Sequence, residues 1–210
     1  MSNLATLTVA AGSAPTATIV TPAIGSRYSA GTTLSFSGNA TDPEDGTLPA
    51  SALRWRIDFH HATHTHPAMP ERTGIASGTF AIPNSGETAA NVWYRVFLTA
   101  TDSGGLSSTA FVDVLPNTAT ISLVTIPAGL QVTLDGQPVT TPTSVLSVVG
   151  VVRSLGVVSP QTAGAFAYYF ESWSDGGGAT HTIATPSATG TYTATFSNRP
   201  RAPVNLRVVP

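Results

Sequence analysis

Apolar and polar residues alternate one for one along several stretches of this 210-residue chain. That is the period of strands with one face in a core. In residues 32–40, TTLSFSGNA, Leu34, Phe36, Gly38 and Ala40 alternate with Ser35, Ser37 and Asn39. In LRWRIDF (53–59), Leu53, Trp55, Ile57 and Phe59 take one side; Arg54, Arg56, Asp58 and then His60 take the other. VWYRVFLTAT (92–101) sets Val92, Tyr94, Val96, Leu98 and Ala100 inward and Trp93, Arg95 and Phe97 outward. After the turn TDSGGL (101–106), residues 107–114 read as its hairpin partner. Further strands are expected at 120–126, 130–134, 145–152, 166–170 and 192–196, with turns at PAG, DGQP, SDGGG and SATG. No dozen residues carry an apolar period of 3.6, so almost no helix is expected. Trp55, Tyr94 and Trp173 are assigned to cores. Tyr168 and Tyr169, adjacent on one strand, cannot both point inward.

The pattern restarts at Pro116–Asn117, and between Val114 and Asn198 only Asp135, Arg153, Glu171 and Asp175 are charged. The expected fold is therefore all-β, two tandem Ig-like β-sandwich domains, at 14–116 and 117–198. Residues 1–13, with a short alternation of Leu4, Leu7 and Val9, read as a leader or linker. Residues 199–210, with three Arg and three Pro, read as a linker to a further module.

Composition sharpens the picture. Charged residues make up 10% of the chain, yet 41% is apolar, so this is no charge-solvated disordered chain. Thr and Ser number 53 together, so surface polarity rests on hydroxyls, which suit strands. A net charge of −2 supplies no reason to expect nucleic acid or an acidic membrane as partner. With no Cys there are no disulfides, thiolate metal sites or Cys nucleophiles. With no Lys there is no Schiff-base or P-loop lysine and no Lys–Asn isopeptide crosslink. The longest apolar stretch, 145–152, is broken by Ser147 and Gly150 and falls far short of the ~20 residues of a spanning helix; no membrane insertion is expected. MSNLATLTVAAGSAP lacks a basic n-region and does not read as a signal peptide. The hydroxyl-rich composition nonetheless suggests a piece of a longer secreted or cell-surface protein. Nothing demands an oligomer, so a monomer is expected.

GNATDPEDG (38–46), LRWRIDF and YRVFLTATDSGGL (94–106) resemble the PKD and related immunoglobulin-like domains of bacterial secreted proteins. In such domains an inward Trp and Tyr fill the sandwich centre and Asp-led turns join the strands. PAGLQVTLDGQPVTTP (127–142) resembles the short β-modules of the PEGA type. FESWSDGG (170–177), followed by YTATF (192–196), is similar to repeats of bacterial surface proteins. Together with FHHATHTHP (59–67), the pair resembles the C-terminal accessory region of secreted quinone-dependent glucose/sorbosone dehydrogenases and related carbohydrate-active proteins. The resemblance implies an accessory module beside a catalytic domain, associated with carbohydrate. PKD domains often carry a WxFGDG-type signature, and the matching strand here reads WRIDFHH.

Three constellations could carry chemistry. His60, His61, His64 and His66 lie within seven residues, HHATHTH, and imidazole is a common ligand for zinc, copper and nickel. In an extended stretch His60, His64 and His66 share parity, and three such donors with one open position suit zinc; loop histidines bonded to carbonyls and hydroxyls are the plainer reading. Asp42, Glu44 and Asp45 in one loop and Asp102 in another could give calcium its oxygens, or simply stabilise turns. Trp93, Phe97 and Arg95, beside Arg54, Arg56 and Asp58 on the neighbouring strand, could form an outer face for stacking on sugar rings, unless something covers the aromatics.

No GxSxG elbow, P-loop or dinucleotide fingerprint is present, and the acids sit in turn motifs, so no enzyme activity is expected. The reading is a non-catalytic accessory module of a secreted bacterial protein that binds a polysaccharide or cell-surface glycan. A structural spacer or adhesin segment stiffened by calcium, and a His-cluster module holding zinc, are the alternatives.

Overall fold

The structure, a computed structural model, describes residues 12–200. The fold is all-β: eighteen strands and one 3-10 turn at Ala50–Ala52 make up the regular structure of the described residues. The chain forms two compact units. The first holds β1 (Thr16–Thr21), β2 (Arg27–Tyr28), β3 (Thr33–Asp42), β4 (Gly46–Thr47), β5 (Leu53–His61), β6 (His64–Thr73), β7 (Ser77–Ala81), β8 (Val92–Thr101) and β9 (Ser107–Pro116). The second holds β10 (Thr118–Ile126), β11 (Gln131–Leu134), β12 (Gln137–Thr140), β13 (Thr143–Val148), β14 (Val152–Val157), β15 (Gln161–Ala163), β16 (Phe166–Trp173), β17 (His181–Ala184) and β18 (Gly190–Pro200).

In the first unit, β3 pairs antiparallel with β1, β4 and β7 to make one sheet. The other sheet runs β2-β9-β8-β5-β6. The strict alternation of β8 (Val92, Tyr94, Val96, Leu98 and Ala100 buried, the residues between them half-exposed) shows the period-2 pattern at work. Phe36 of β3 meets Trp55 of β5 across the sandwich, centroids 4.8 Å apart. Both rings are fully buried with Ile57, Val96, Leu98 and Met69, each contributing roughly 1.5–3 kcal/mol by leaving water. The indole N–H of Trp55 donates to the Ile75 carbonyl at 3.0 Å, so its burial leaves no orphaned donor. Gly38 is needed beside it: a Cβ there would lie 2.5 Å from the Thr18 carbonyl oxygen and 3.1 Å from the Trp55 ring.

In the second unit one sheet runs β13-β10-β18-β16-β15, with β10 and β18 parallel, and the other runs β12-β11-β14-β17. Ile121, Leu123, Leu130, Val132, Leu155, Trp173, Ala194 and Phe196 form its core. Tyr169 is exposed and Tyr168 packs against that core, the split that adjacency on one strand requires. Leu134 pairs with Gln137 across Asp135 and Gly136, whose φ values of 52° and 79° mark a two-residue type I′ hairpin turn. The carboxylate of Asp135 accepts from Arg153 Nε (2.8 Å), pairs with its Nη2 (2.6 Å) and accepts the Ser154 N–H (3.0 Å). Arg153, 4% exposed, also donates to Ser147 Oγ at 3.0 Å.

Some expectations are corrected. Residues 145–152 are not one strand: Gly150, at φ 85°, turns the chain between β13 and β14, which belong to different sheets. Ser29–Gly31 and Pro83–Ala90, expected within 14–116, group with the second unit. There the Ala30 N–H donates to the Val149 carbonyl and the Val152 N–H to that of Asn84, both at 2.8 Å. Arg199 and Pro200, expected to begin a linker, complete β18 opposite Ala167 and Phe166. The Leu4/Leu7/Val9 alternation and the rest of that linker lie outside the described residues.

Candidate functional site

The outer face of the five-stranded sheet is built by register. Arg56 stands opposite Phe97, which stands opposite Phe111; Asp58 stands opposite Arg95, which stands opposite Asp113; His60 stands opposite Trp93. Period-2 alternation puts all of these side chains on the face away from the core. The structure thus brings Arg54, Arg56, Asp58, Trp93, Arg95 and Phe97 together. It adds Phe111 and Asp113, which are absent from the sequence-based set although they share parity against buried Val112 and Val114.

Within this lattice the groups engage one another. The Arg56 guanidinium lies 4.2 Å over the Phe97 ring and that of Arg95 4.3 Å over Phe111. The two phenyl centroids are 6.1 Å apart. Arg95 forms a bidentate pair with Asp113 at 2.6 and 2.8 Å, which raises the guanidinium pKa further. Arg56 pairs with Asp58 at 3.3 Å and Arg54 with Glu71 at 3.4 Å. Three cations thus meet three anions, and the face is close to neutral. Phe111 remains 54% exposed and Leu115 44%. Trp93 is not open in the same way: the His60 ring stacks on it at 4.8 Å and 13°, and Trp93 Nε1 and His60 Nε2 are buried without a hydrogen-bond partner.

The histidines sit at the tip of the β5–β6 hairpin rather than on one extended stretch. Ala62 and Thr63 make a two-residue turn, Ala62 at φ 46°, and His61 pairs with His64 across it. The expected parity is therefore corrected. His61, His64 and His66 share the Phe59 side, while His60 faces the opposite side, with its Nδ1 3.1 Å from Thr65 Oγ1. His61 Nε2 and His66 Nε2 are 2.8 Å apart, and His64 Nδ1 is 3.3 Å from Thr63 Oγ1. Among the described residues no group of three or more His, Asp or Glu side chains is placed, as the side chains stand, to hold a metal ion.

The acidic loops do converge. Asp45 accepts the Ser103 N–H at 2.7 Å and its hydroxyl at 2.9 Å, which lower its pKa. Asp42 Oδ1 accepts the Glu44 and Asp45 N–H groups, Asp102 Oδ1 accepts that of Leu106, and Glu44 accepts from Ser13. These are turn-stabilising bonds; Asp42 Oδ2 is buried without a partner. Asp45, Asp102 and Ser103 also border an open hollow of about 410 Å³ with Pro49 and Ser51.

In the second unit His181 Nε2 lies 2.9 Å from Asp175 Oδ2, and its Nδ1 lies 2.9 Å from the Gly178 carbonyl. Burial raises the Asp175 pKa, but the Gly177 N–H and His181 together outweigh it and hold the carboxyl below its usual range. The pair closes the SWSDGG loop beside Trp173.

Among the described residues no helix is long and apolar enough to cross a membrane. No protein-family model, curated protein or solved structure matches the chain.

Proposed function

We propose that the chain is a non-catalytic accessory module of a secreted protein, and that the outer face of its five-stranded sheet binds a polysaccharide or cell-surface glycan. The supporting observation is the paired Phe97 and Phe111 rings on a broad sheet, flanked by Arg56, Arg95, Asp58 and Asp113, with Phe111 largely in solvent. An exposed ring gives a sugar an apolar platform, and flanking guanidinium and carboxylate groups take its hydroxyls. Because the face's charges cancel in pairs, a neutral glycan fits it better than an anionic one.

Retention on a panel of insoluble neutral polysaccharides tests the reading. The unaltered protein is expected to be retained, Phe111→Ala to be lost from the matrix, and both to share one circular dichroism spectrum. No retention of the unaltered protein on any glycan removes the proposal. It would favour the spacer, for which the mutually satisfied lattice is a way of finishing an exposed sheet face.

A further inference from the structure

We propose that His61, His64 and His66 form a three-imidazole site for a divalent transition metal ion, with zinc the first candidate, at the tip of the β5–β6 hairpin. The hairpin register supplies the arrangement. His64 and His66, two apart on β6, point to the same side, and His61 on β5 stands directly opposite His64. His61 is the hub: its ring centroid is 4.5 Å from that of His64 and 4.9 Å from that of His66, while the outer two are 6.1 Å apart.

One pair of ring nitrogens already meets. His61 and His66 bring their Nε2 atoms to 2.8 Å, where a single proton bridges two neutral rings. A metal ion takes the place of that proton, which moves to Nδ1 of the same ring by exchange with solvent, so both rings ligate as neutral imidazoles through Nε2. With zinc–nitrogen bonds of about 2.0–2.1 Å in a tetrahedral arrangement, neighbouring donors stand roughly 3.3–3.4 Å apart. The His61–His66 pair therefore needs to open by only about half an ångström. His64 supplies the third donor. Its Nδ1 faces the Thr63 hydroxyl, and an N–H donated there leaves the Nε2 lone pair free for the ion, the usual way an outer partner sets a ligand's tautomer. His64 and His66 are exposed, so both rings can swing without displacing packed neighbours. The ion itself draws the three donors together; the fourth position stays open to water.

His60 belongs to the other side of the sheet, stacked on Trp93. This separates the proposal from a general affinity of a histidine-rich segment. It also makes the site independent of the glycan-binding reading, which rests on the opposite face.

The test uses the untagged full chain, stripped with chelator and dialysed, then titrated with zinc by calorimetry and assayed by elemental analysis. One zinc per chain is expected. His61→Ala, His64→Ala and His66→Ala should each weaken binding at least tenfold, and His60→Ala should leave it unchanged, all with the circular dichroism of the unaltered protein. Cobalt in place of zinc should give the intense visible absorption of a four-coordinate ion, lost in His61→Ala. Absence of stoichiometric zinc overturns the proposal. So does equal weakening by His60→Ala and His66→Ala, and zinc uptake indifferent to His64→Ala overturns the three-donor assignment.

Discussion

Asp135→Asn isolates one charge in the second unit with little else disturbed. Asn tolerates the left-handed φ of 52° at this turn position as well as Asp does, and its amide oxygen can still accept the Ser154 N–H. What disappears is the counter-charge of Arg153, whose guanidinium is 4% exposed and contacts Asp135 at 2.6 and 2.8 Å. Breaking a fully buried pair from one side costs about 3–5 kcal/mol. The Asp135 side chain is 31% exposed, so solvent screens part of that interaction and the expected loss is about 1–3 kcal/mol. Arg153→Met should cost less, because it removes the buried ion and leaves a carboxylate that water can reach. The double variant should recover part of the Asp135→Asn loss, giving a coupling of about 1 kcal/mol or more in a double-mutant cycle. Equilibrium urea unfolding, followed by circular dichroism and tryptophan fluorescence, measures all four proteins. A loss below about 0.5 kcal/mol for Asp135→Asn, or strict additivity, would refute the idea that the buried guanidinium depends on this counter-charge.

Gly38→Ala should destabilise the first unit by about 1–3 kcal/mol, because the added methyl meets the Thr18 carbonyl oxygen and the Trp55 and Leu98 side chains at once; urea unfolding monitored by tryptophan emission checks it, and a neutral result would mean the strands can part there. Burial pushes the Tyr94 hydroxyl up to about 12 and its neighbour Tyr28 higher still, against about 10 in an unfolded chain. Their contribution is therefore complete below pH 10 and lost as pH rises from about 10 towards 12, each tyrosine removing at most about 1.4 kcal/mol per pH unit. Melting temperatures across that range should fall more steeply for the unaltered protein than for Tyr94→Phe; parallel curves would mean that the Tyr94 hydroxyl ionises as readily in the folded chain as in the unfolded one.

The elements legible in the sequence are those in which one side chain in two is large and apolar. The strands around Phe36, Trp55 and Tyr94 lie as their alternation implies, and the outward parity of Trp93, Arg95 and Phe97 follows from the same rule. What was hidden depends on turns without the usual punctuation. Ala62 occupies a left-handed position where Gly or Asn would have announced a hairpin. Without that signal His60, rather than His61, aligned with His64 and His66. Val145–Val148 and Val152 read as one run because a single Gly separates two strands of different sheets. The partners of the acidic loops were hidden for another reason. Asp45 is held by Ser103, 58 residues away, a contact that only the folded chain creates.

The β6 strand is the outer strand of its sheet, carries Pro67 and Pro70, and pairs with β5 through two register shifts. A strand without N–H groups at two positions and with a broken repeat is a poor template for another strand. Copies of this chain crowded side by side on a surface would thus resist zipping together along that border. A partner that meets the hairpin is offered side chains more readily than backbone, and at its tip those side chains are imidazoles.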